Sequence, residues 1–118
     1  MHGAYWRDWK TLLTEPKHGM SAQELALVQS TLAKWLPMHE VRMFGSRARG
    51  IPKPYSDLDL VIMGETPVPM ATLGQLREAL ADSDLPWRVD LVDWATTSPE
   101  FRAQIADHSI PLQAPKTL

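Results

Sequence analysis

The sequence predicts an α/β or α+β fold in which helices cover a small β-sheet. Segments with the apolar spacing of amphipathic helices alternate with short aliphatic runs that are typical of strands. Most of the prolines fall between these segments, where they separate one element from the next. The chain has 118 residues, of which 44% are hydrophobic and 22% charged, values that fit one ordinary globular domain.

Four segments carry helical signals: 5–13, 22–36, 71–81 and the stretch after Ser98. Ser21 and Glu24 form the capping-box pattern S-x-x-E before the second of these, and Pro37 ends it. Ser98 is placed to cap the last helix, because a proline follows it at the first helical position.

Three runs have the composition of strands: 41–44, 58–63 and 87–94. Gly45 ends the first run, and a loop rich in glycine and proline follows over 46–56. Beyond the last helix, we expect residues 110–112 to pack back on the domain.

The order of these elements also predicts the domain boundaries. Residues 20–113 are expected to form the domain. Residues 1–19 are expected to be an amphipathic N-terminal extension, and 114–118 a frayed tail.

Composition excludes several classes of protein. The chain has no cysteine, which excludes a disulfide scaffold, a thiolate zinc site and a cysteine nucleophile. No run approaches the ~18 apolar residues of a membrane helix, and Arg7, Asp8 and Lys10 stand where a secretion signal would be apolar. The chain has 12 Lys and Arg residues and 14 Asp and Glu residues. The resulting net charge of −2 does not favour nonspecific electrostatic binding to nucleic acid. We expect a cytoplasmic protein with no membrane partner and no direct nucleic-acid binding.

The most informative pattern is a Gly-Ser pair followed, ten residues later, by Asp-x-Asp. Because side chains alternate along a strand, Asp57 and Asp59 are expected on one face, and Leu58 on the other. Two carboxylates placed in this way can bridge a pair of divalent cations. Oxygen ligands favour Mg²⁺, or Mn²⁺ in its place, and protein-bound Mg²⁺ usually shares its ligands with substrate phosphates. The pattern therefore points to a nucleoside triphosphate.

The Gly-Ser pair supplies the complementary half of such a site. Gly45 lets the backbone approach a phosphate closely, and the Ser46 hydroxyl together with exposed N–H groups can hold it. Arg47, Arg49 and Lys53 add positive charge to the same loop, and arginine can bind phosphate through two hydrogen bonds.

A third carboxylate is expected from a neighbouring strand. Asp90 stands between two apolar residues in the third predicted strand, and Asp93 follows in the same strand. The two lie on opposite faces, so only one of them can join Asp57 and Asp59 without a bulge. Asp90 is the first choice and Asp93 the alternative.

These residues resemble the DNA polymerase β-type nucleotidyltransferase superfamily. Its pattern is Gly-Gly or Gly-Ser after a hydrophobic residue, two acids alternating with hydrophobic residues, and a later acid between hydrophobic residues. The short form GSRARG…SDLDLV is similar to the minimal nucleotidyltransferases (MNT) in particular. The resemblance covers about residues 21–92.

The resemblance implies a mixed sheet flanked by helices. It also implies that Asp57 and Asp59 coordinate two Mg²⁺ ions, that Asp90 binds the metal that activates the attacking hydroxyl, and that Gly45 and Ser46 hold the triphosphate. Many minimal nucleotidyltransferases are antitoxins paired with a helical HEPN ribonuclease toxin. The better understood ones transfer AMP from ATP to a tyrosine of that toxin and block its ribonuclease site.

Three functional hypotheses follow. The first is a Mg²⁺-dependent enzyme that transfers AMP from ATP to a hydroxyl of a partner HEPN toxin. The second is an antitoxin that neutralises its toxin by occlusion without catalysis, a hypothesis that rests on the aromatic residues Tyr5, Trp6 and Trp9. The third, transfer to a small molecule or a nucleic acid, is disfavoured by the acidic balance and by the lack of a second domain to complete a substrate site.

Overall fold

The computed structural model describes residues 16–116. Four α-helices and four β-strands alternate in this part of the chain: α1 (Ala22–Trp35), β1 (Val41–Phe44), α2 (Gly45–Ala48), β2 (Leu58–Ile62), α3 (Met70–Ala81), β3 (Val89–Asp93), α4 (Pro99–Asp107) and β4 (Ile110–Gln113). Short 3₁₀ turns cover Pro16–His18 and Trp94–Thr96. The predicted mixed α and β class is confirmed.

Both predicted helix starts have the expected caps. At α1, the Glu24 backbone N–H donates to Ser21 Oγ over 3.0 Å, and the Ser21 N–H donates to Glu24 Oε1 over 2.8 Å. At α4, the Phe101 N–H donates to Ser98 Oγ. Each cap satisfies backbone donors that the first helical turn leaves unpaired.

The four strands form one mixed sheet in the order β3-β2-β1-β4. Strand β1 runs antiparallel to both of its neighbours, β2 and β4, whereas β2 and β3 are parallel and joined through α3. The register places Asp59 of β2 directly beside Asp90 of β3 on one side and Phe44 of β1 on the other. The mixed sheet implied by the resemblance is therefore present.

The main core lies on one face of the sheet, under α1 and α3. Leu58, Leu60 and Ile62 of β2 are fully buried there with residues of these two helices. Val61, which alternates with them, is buried outside this cluster, as is Ile105 of α4. The second face is thus covered at one end by α4, and the carboxylate-bearing end of the face is left accessible.

The structure adds two elements to the sequence prediction. The predicted loop over 46–56 begins with the single helical turn α2, and the segment expected to pack back on the domain is strand β4. Pro111 is compatible with this strand because β4 is an edge, where a missing N–H is tolerated. In the predicted tail, the Lys116 N–H donates to the Pro37 carbonyl. The predicted helix over 5–13 lies outside the described residues.

Across residues 16–116, no helix combines the length and the apolar character needed to span a bilayer.

Candidate active site

Gly45 occupies the junction between β1 and α2, where two independent constraints require glycine. Its φ of +75° lies in the left-handed region that side chains disfavour. A Cβ atom at this position would also collide with Oδ2 of Asp59. The Gly-Ser turn and the Asp59 carboxylate are therefore in direct apposition.

The next residue in the turn, Ser46, carries a hydroxyl. Ser46 is half-buried, and its side chain makes no hydrogen bond to any residue within the 16–116 range. Its hydroxyl is thus left without a partner among these residues, next in the chain to Gly45. Arg49, on the following turn, is exposed and has no ion pair in that range either.

The register of β2 and β3 brings together the three predicted acids. Asp57 precedes β2 by one residue, Asp59 lies within it, and Asp90 is the direct neighbour of Asp59 across the parallel pair. Adjacent strands lie about 4.8 Å apart, so the carboxylates of Asp59 and Asp90 share one small region of the face.

The pKa of Asp59 reflects its burial and the closeness of the other acids. Burial raises the pKa of Asp59, and the negative charges of Asp90 and Asp57 raise it further. Half-buried negative charge of this kind is stabilised by a cation. The acid cluster, defined as Asp57, Asp59 and Asp90, is therefore a region of negative potential that attracts positive charge.

The donor set suits Mg²⁺ or Mn²⁺, because all the available ligand atoms are carboxylate oxygens. Among the described residues, no group of three or more His, Cys, Asp and Glu side chains is arranged to hold a metal ion. A Mg²⁺ site built from one or two carboxylates and completed by substrate phosphates does not need three protein ligands. The acid cluster beside Gly45 fits that kind of site.

Arg88 is part of this site, and the sequence analysis missed it. Its Nη2 atom lies 3.2 Å from Asp57 Oδ2 and 3.7 Å from Asp90 Oδ1. The side chain is 78% exposed, so it is free to swing away from the acids. The signal that could have found it is its position two residues before Asp90, which places both side chains on one face of the strand.

Arg47, predicted to contact phosphate, lies in the interior instead. Its Nε and Nη2 atoms donate to the Ser56 carbonyl over 3.0 and 2.7 Å, and Nη1 donates to the His18 carbonyl over 3.0 Å. The guanidinium also stacks on Trp87, 4.5 Å from the ring centroid. Desolvation lowers the pKa of Arg47. These contacts clamp the loop that leads to Asp57, while a contact to phosphate stays a prediction.

The placement of Asp93 distinguishes the two candidates for the third acid. The Asp93 carboxylate accepts hydrogen bonds from the Val68 and Ala95 backbone N–H groups, at 2.8 and 3.2 Å. It therefore caps local backbone on the far side of the strand. Asp90 lies beside Asp59, and the geometry favours it as the third carboxylate.

Tyr55 has a backbone conformation that is rare for a residue with a side chain. Its φ is +64°, and its side chain is 75% exposed. The turn is held by the Lys53 N–H donating to Ser56 Oγ over 2.8 Å and by the Ser56 N–H donating to the Lys53 carbonyl. Strain of this type is concentrated at functional sites, and here it lies two residues from Asp57.

Sequence comparison relates the chain to known nucleotidyltransferases. Residues 28–116 match the family model described as Polymerase beta, Nucleotidyltransferase. The probable protein adenylyltransferase MntA of Haemophilus influenzae is 51% identical over 83 residues, which cover 70% of this chain and 73% of that protein.

Comparison with solved structures supports the same fold. A chain from a toxin–antitoxin structure with AMP-PNP superposes with a TM-score of 0.65 at 24% identity, covering 78% of this chain and 74% of that one. A chain from the complex of tri-AMPylated Shewanella oneidensis HEPN toxin with MNT antitoxin gives 0.54 at 23% identity, over 76% and 72% of the two chains. The chain described here therefore belongs to the polymerase beta nucleotidyltransferase family and is similar within it to MntA.

Proposed function

We propose that this chain is a Mg²⁺-dependent antitoxin that transfers AMP from ATP to a tyrosine hydroxyl of a partner HEPN ribonuclease toxin and so inactivates it. The observation that carries the proposal is the apposition of Gly45 and Ser46 to the acid cluster. The name of the Haemophilus influenzae relative and the AMPylated toxin in the Shewanella oneidensis complex support the choice of AMP and of a toxin as acceptor. The reaction is placed in the cytoplasm, where ATP is abundant.

The residues divide between two tasks. Asp57, Asp59 and Asp90 would hold two Mg²⁺ ions, for which Mn²⁺ can substitute. When bound, these ions neutralise the triphosphate and lower the pKa of the acceptor hydroxyl. Ser46 and Arg49 hold the β- and γ-phosphates, and Gly45 lets them approach the backbone.

The proposed transfer is balanced in atoms and in charge. The acceptor oxygen forms a bond to the α-phosphorus, the bond from that phosphorus to the bridging oxygen breaks, and pyrophosphate leaves. The hydroxyl proton passes to solvent. Because the attacking and leaving oxygens lie roughly in line, the residues act mainly by positioning and by charge stabilisation.

The test is the intact mass of a co-expressed HEPN-type partner toxin after incubation with this chain, ATP and Mg²⁺. We expect the toxin to gain one or more AMP units. The double variant Asp57→Ala/Asp59→Ala should leave its mass unchanged. The matched control Glu65→Ala/Asp107→Ala removes two exposed acids outside the cluster and should modify the toxin normally.

A toxin that is silenced in a stable complex with unchanged mass would contradict the proposal. That result would favour neutralisation by occlusion. AMP incorporation into RNA or into a small hydroxyl compound, with no partner present, would contradict the choice of acceptor.

A further inference from the structure

A groove of about 610 Å³ runs along the outer edge of β3 and reaches the acid cluster. Six of the residues that line it are Arg77, Leu80, Ala81, Leu85, Trp87 and Asp90. Asp90 therefore belongs both to this groove and to the cluster. The groove therefore borders a residue of the proposed catalytic site.

Among the described residues, none pairs with the backbone along the outer side of β3. Strand β3 is the outermost strand of the sheet on that side. The Leu58 N–H donates to the Arg88 carbonyl over 2.8 Å, so Arg88 directs its carbonyl towards β2. Residues alternate along a strand, and Val89 and Leu91 therefore direct their N–H and C=O groups outwards, where no residue of 16–116 meets them.

The order of the strands puts this edge on the acceptor side of the reaction. Gly45 and Ser46 follow β1, Asp59 lies in β2 and Asp90 in β3, so the phosphate-holding turn and the groove lie on opposite sides of Asp59. In an in-line displacement the acceptor enters opposite the departing pyrophosphate. If pyrophosphate leaves on the β1 side, then the acceptor arrives from the β3 side.

The lining of the groove matches an aromatic residue with an acidic neighbour. Leu85, Trp87 and Leu91 are half-buried apolar surfaces, which suit a phenol ring. Arg77 is exposed and has no ion pair within the described chain, so a carboxylate beside the ring would meet an unneutralised charge. The volume lies within the range of about 300–1,000 Å³ that is usual for pockets that take a small ligand.

We propose that an extended segment of the partner toxin, carrying the acceptor tyrosine and an acidic residue beside it, pairs with the free edge of β3 and lays the tyrosine in this groove with its hydroxyl towards Asp90. The inference rests on the proposed function for the identity of the partner. Backbone hydrogen bonds supply affinity in this mode of recognition, and the groove supplies selectivity for the side chain.

The first test fills the groove without touching the acid cluster. Ala81 is the exposed last residue of α3 and lines the groove, whereas Ala71 is exposed near the start of the same helix and does not. We expect Ala81→Trp to lower kcat/KM for the toxin by about tenfold or more, because a bulky side chain occupies the space of the tyrosine. The affinity for Mn²⁺ and ATP should not change, and the control Ala71→Trp should match the wild type in both measurements.

The second test reverses the charge at the rim. Arg77→Glu should raise KM for the toxin by roughly fivefold, and the effect should shrink as ionic strength rises. Lys34→Glu makes the same charge change on the exposed surface of α1 and should leave KM near that of the wild type.

A third test separates this inference from the proposed function. A photo-crosslinking benzoylphenylalanine is placed at position 81 or, as a control, at position 71, and the complex with the toxin is irradiated. We expect position 81 alone to capture a toxin segment that contains a tyrosine.

If the wild type transfers no AMP, the proposed function fails, and the crosslink still reports on the groove. If the crosslink from position 81 is absent or equals that from position 71, the docking groove is refuted. It is also refuted if the Ala81→Trp and Arg77→Glu variants both modify the toxin at the wild-type rate.

Discussion

Strands β2 and β3 are parallel neighbours that each present an acid to the same site, yet their surroundings are opposite. In β2, Leu58, Leu60, Val61 and Ile62 are fully buried, whereas no residue of β3 is buried. Strand β2 is paired on both sides, whereas β3 is an outer strand of the four-stranded sheet. The comparison teaches that β2 holds Asp59 within a well-buried strand, whereas β3 presents Asp90 on an outer strand with no buried residue.

The largest expected contrast is in stability, at two leucines that are register partners. Leu60 of β2 is fully buried and Leu91 of β3 is half-buried. We expect Leu60→Ala to lower the free energy of unfolding by about 2–5 kcal/mol, because the truncation leaves a cavity in the core. Leu91→Ala should lower it by roughly half as much, because water can reach the vacated space. Chemical denaturation measures both, and equal losses would mean that the strands are equally buried in solution.

The next contrast is between two glycines. Gly45→Ala should reduce AMP transfer by about a hundredfold or more, because the new methyl group displaces Asp59 and a misplacement of about 1 Å has an effect of that size. Gly74 lies in α3 with open space around it, and Gly74→Ala should leave transfer unchanged and stabilise the chain by about 0.5–1 kcal/mol. Initial rates and thermal unfolding of the two variants test this. A Gly45→Ala enzyme of normal activity would show that the turn tolerates a side chain.

A smaller effect is expected at Arg88, which neutralises part of the acid cluster. Arg88→Gln should tighten Mn²⁺ binding in the absence of nucleotide by a few-fold, because it removes an exposed charge that competes with the metal for Asp57 and Asp90. Electron paramagnetic resonance of free Mn²⁺ measures the affinity. Arg77→Gln removes the same charge away from the acids and serves as the control. Weaker binding by the Arg88 variant would show instead that this side chain helps to hold the site together.

The smallest expected effect is the pH dependence that Asp59 gives to stability. The pKa of Asp59 is raised by burial and then by Asp90 and Asp57, so the folded chain binds this proton more tightly than the unfolded chain. Ionised Asp59 therefore destabilises the fold above its folded-state pKa. The penalty is relieved as pH falls from that value towards the ordinary 3.8.

Asp59→Asn removes this group, so in the presence of a chelator its Tm should exceed that of the wild type at neutral pH. The difference should disappear in acid. Glu65→Gln, at an exposed acid, should show no such trend. A Tm difference that is independent of pH would assign the effect to packing rather than to charge.

The components of the site differ in how far local spacing could predict them. Gly45, Ser46, Asp57 and Asp59 lie within one continuous stretch, and strand alternation alone predicts that both acids face one way. The sequence alone leaves both Asp90 and Asp93 as candidates for the third carboxylate, because it does not reveal the register between strands. The parallel pairing of β2 with β3 puts Asp90 beside Asp59.

Two arginines show why charge alone was a weak guide to position. Arg47 is predicted from the sequence to be a loop charge near phosphate, yet the backbone carbonyls of Ser56, in the same loop, and of the more remote His18 hold it in the interior. No local sequence pattern places Arg88 at the acid cluster, because its partner Asp57 is 31 residues away along the chain and becomes its neighbour only in the sheet.

The sequence by itself determined helices α1, α3 and α4, strands β1, β2 and β3 and the two cap residues, since these depend on neighbours within a few residues. Only the tertiary structure decided which acid completes the cluster, which arginine lies inside and which strand edge is left open. Those outcomes depend on strand order, register and burial, which arise from contacts between residues far apart in the chain. For the same reason, the free edge of β3 beside Asp90 became visible only once the sheet was assembled.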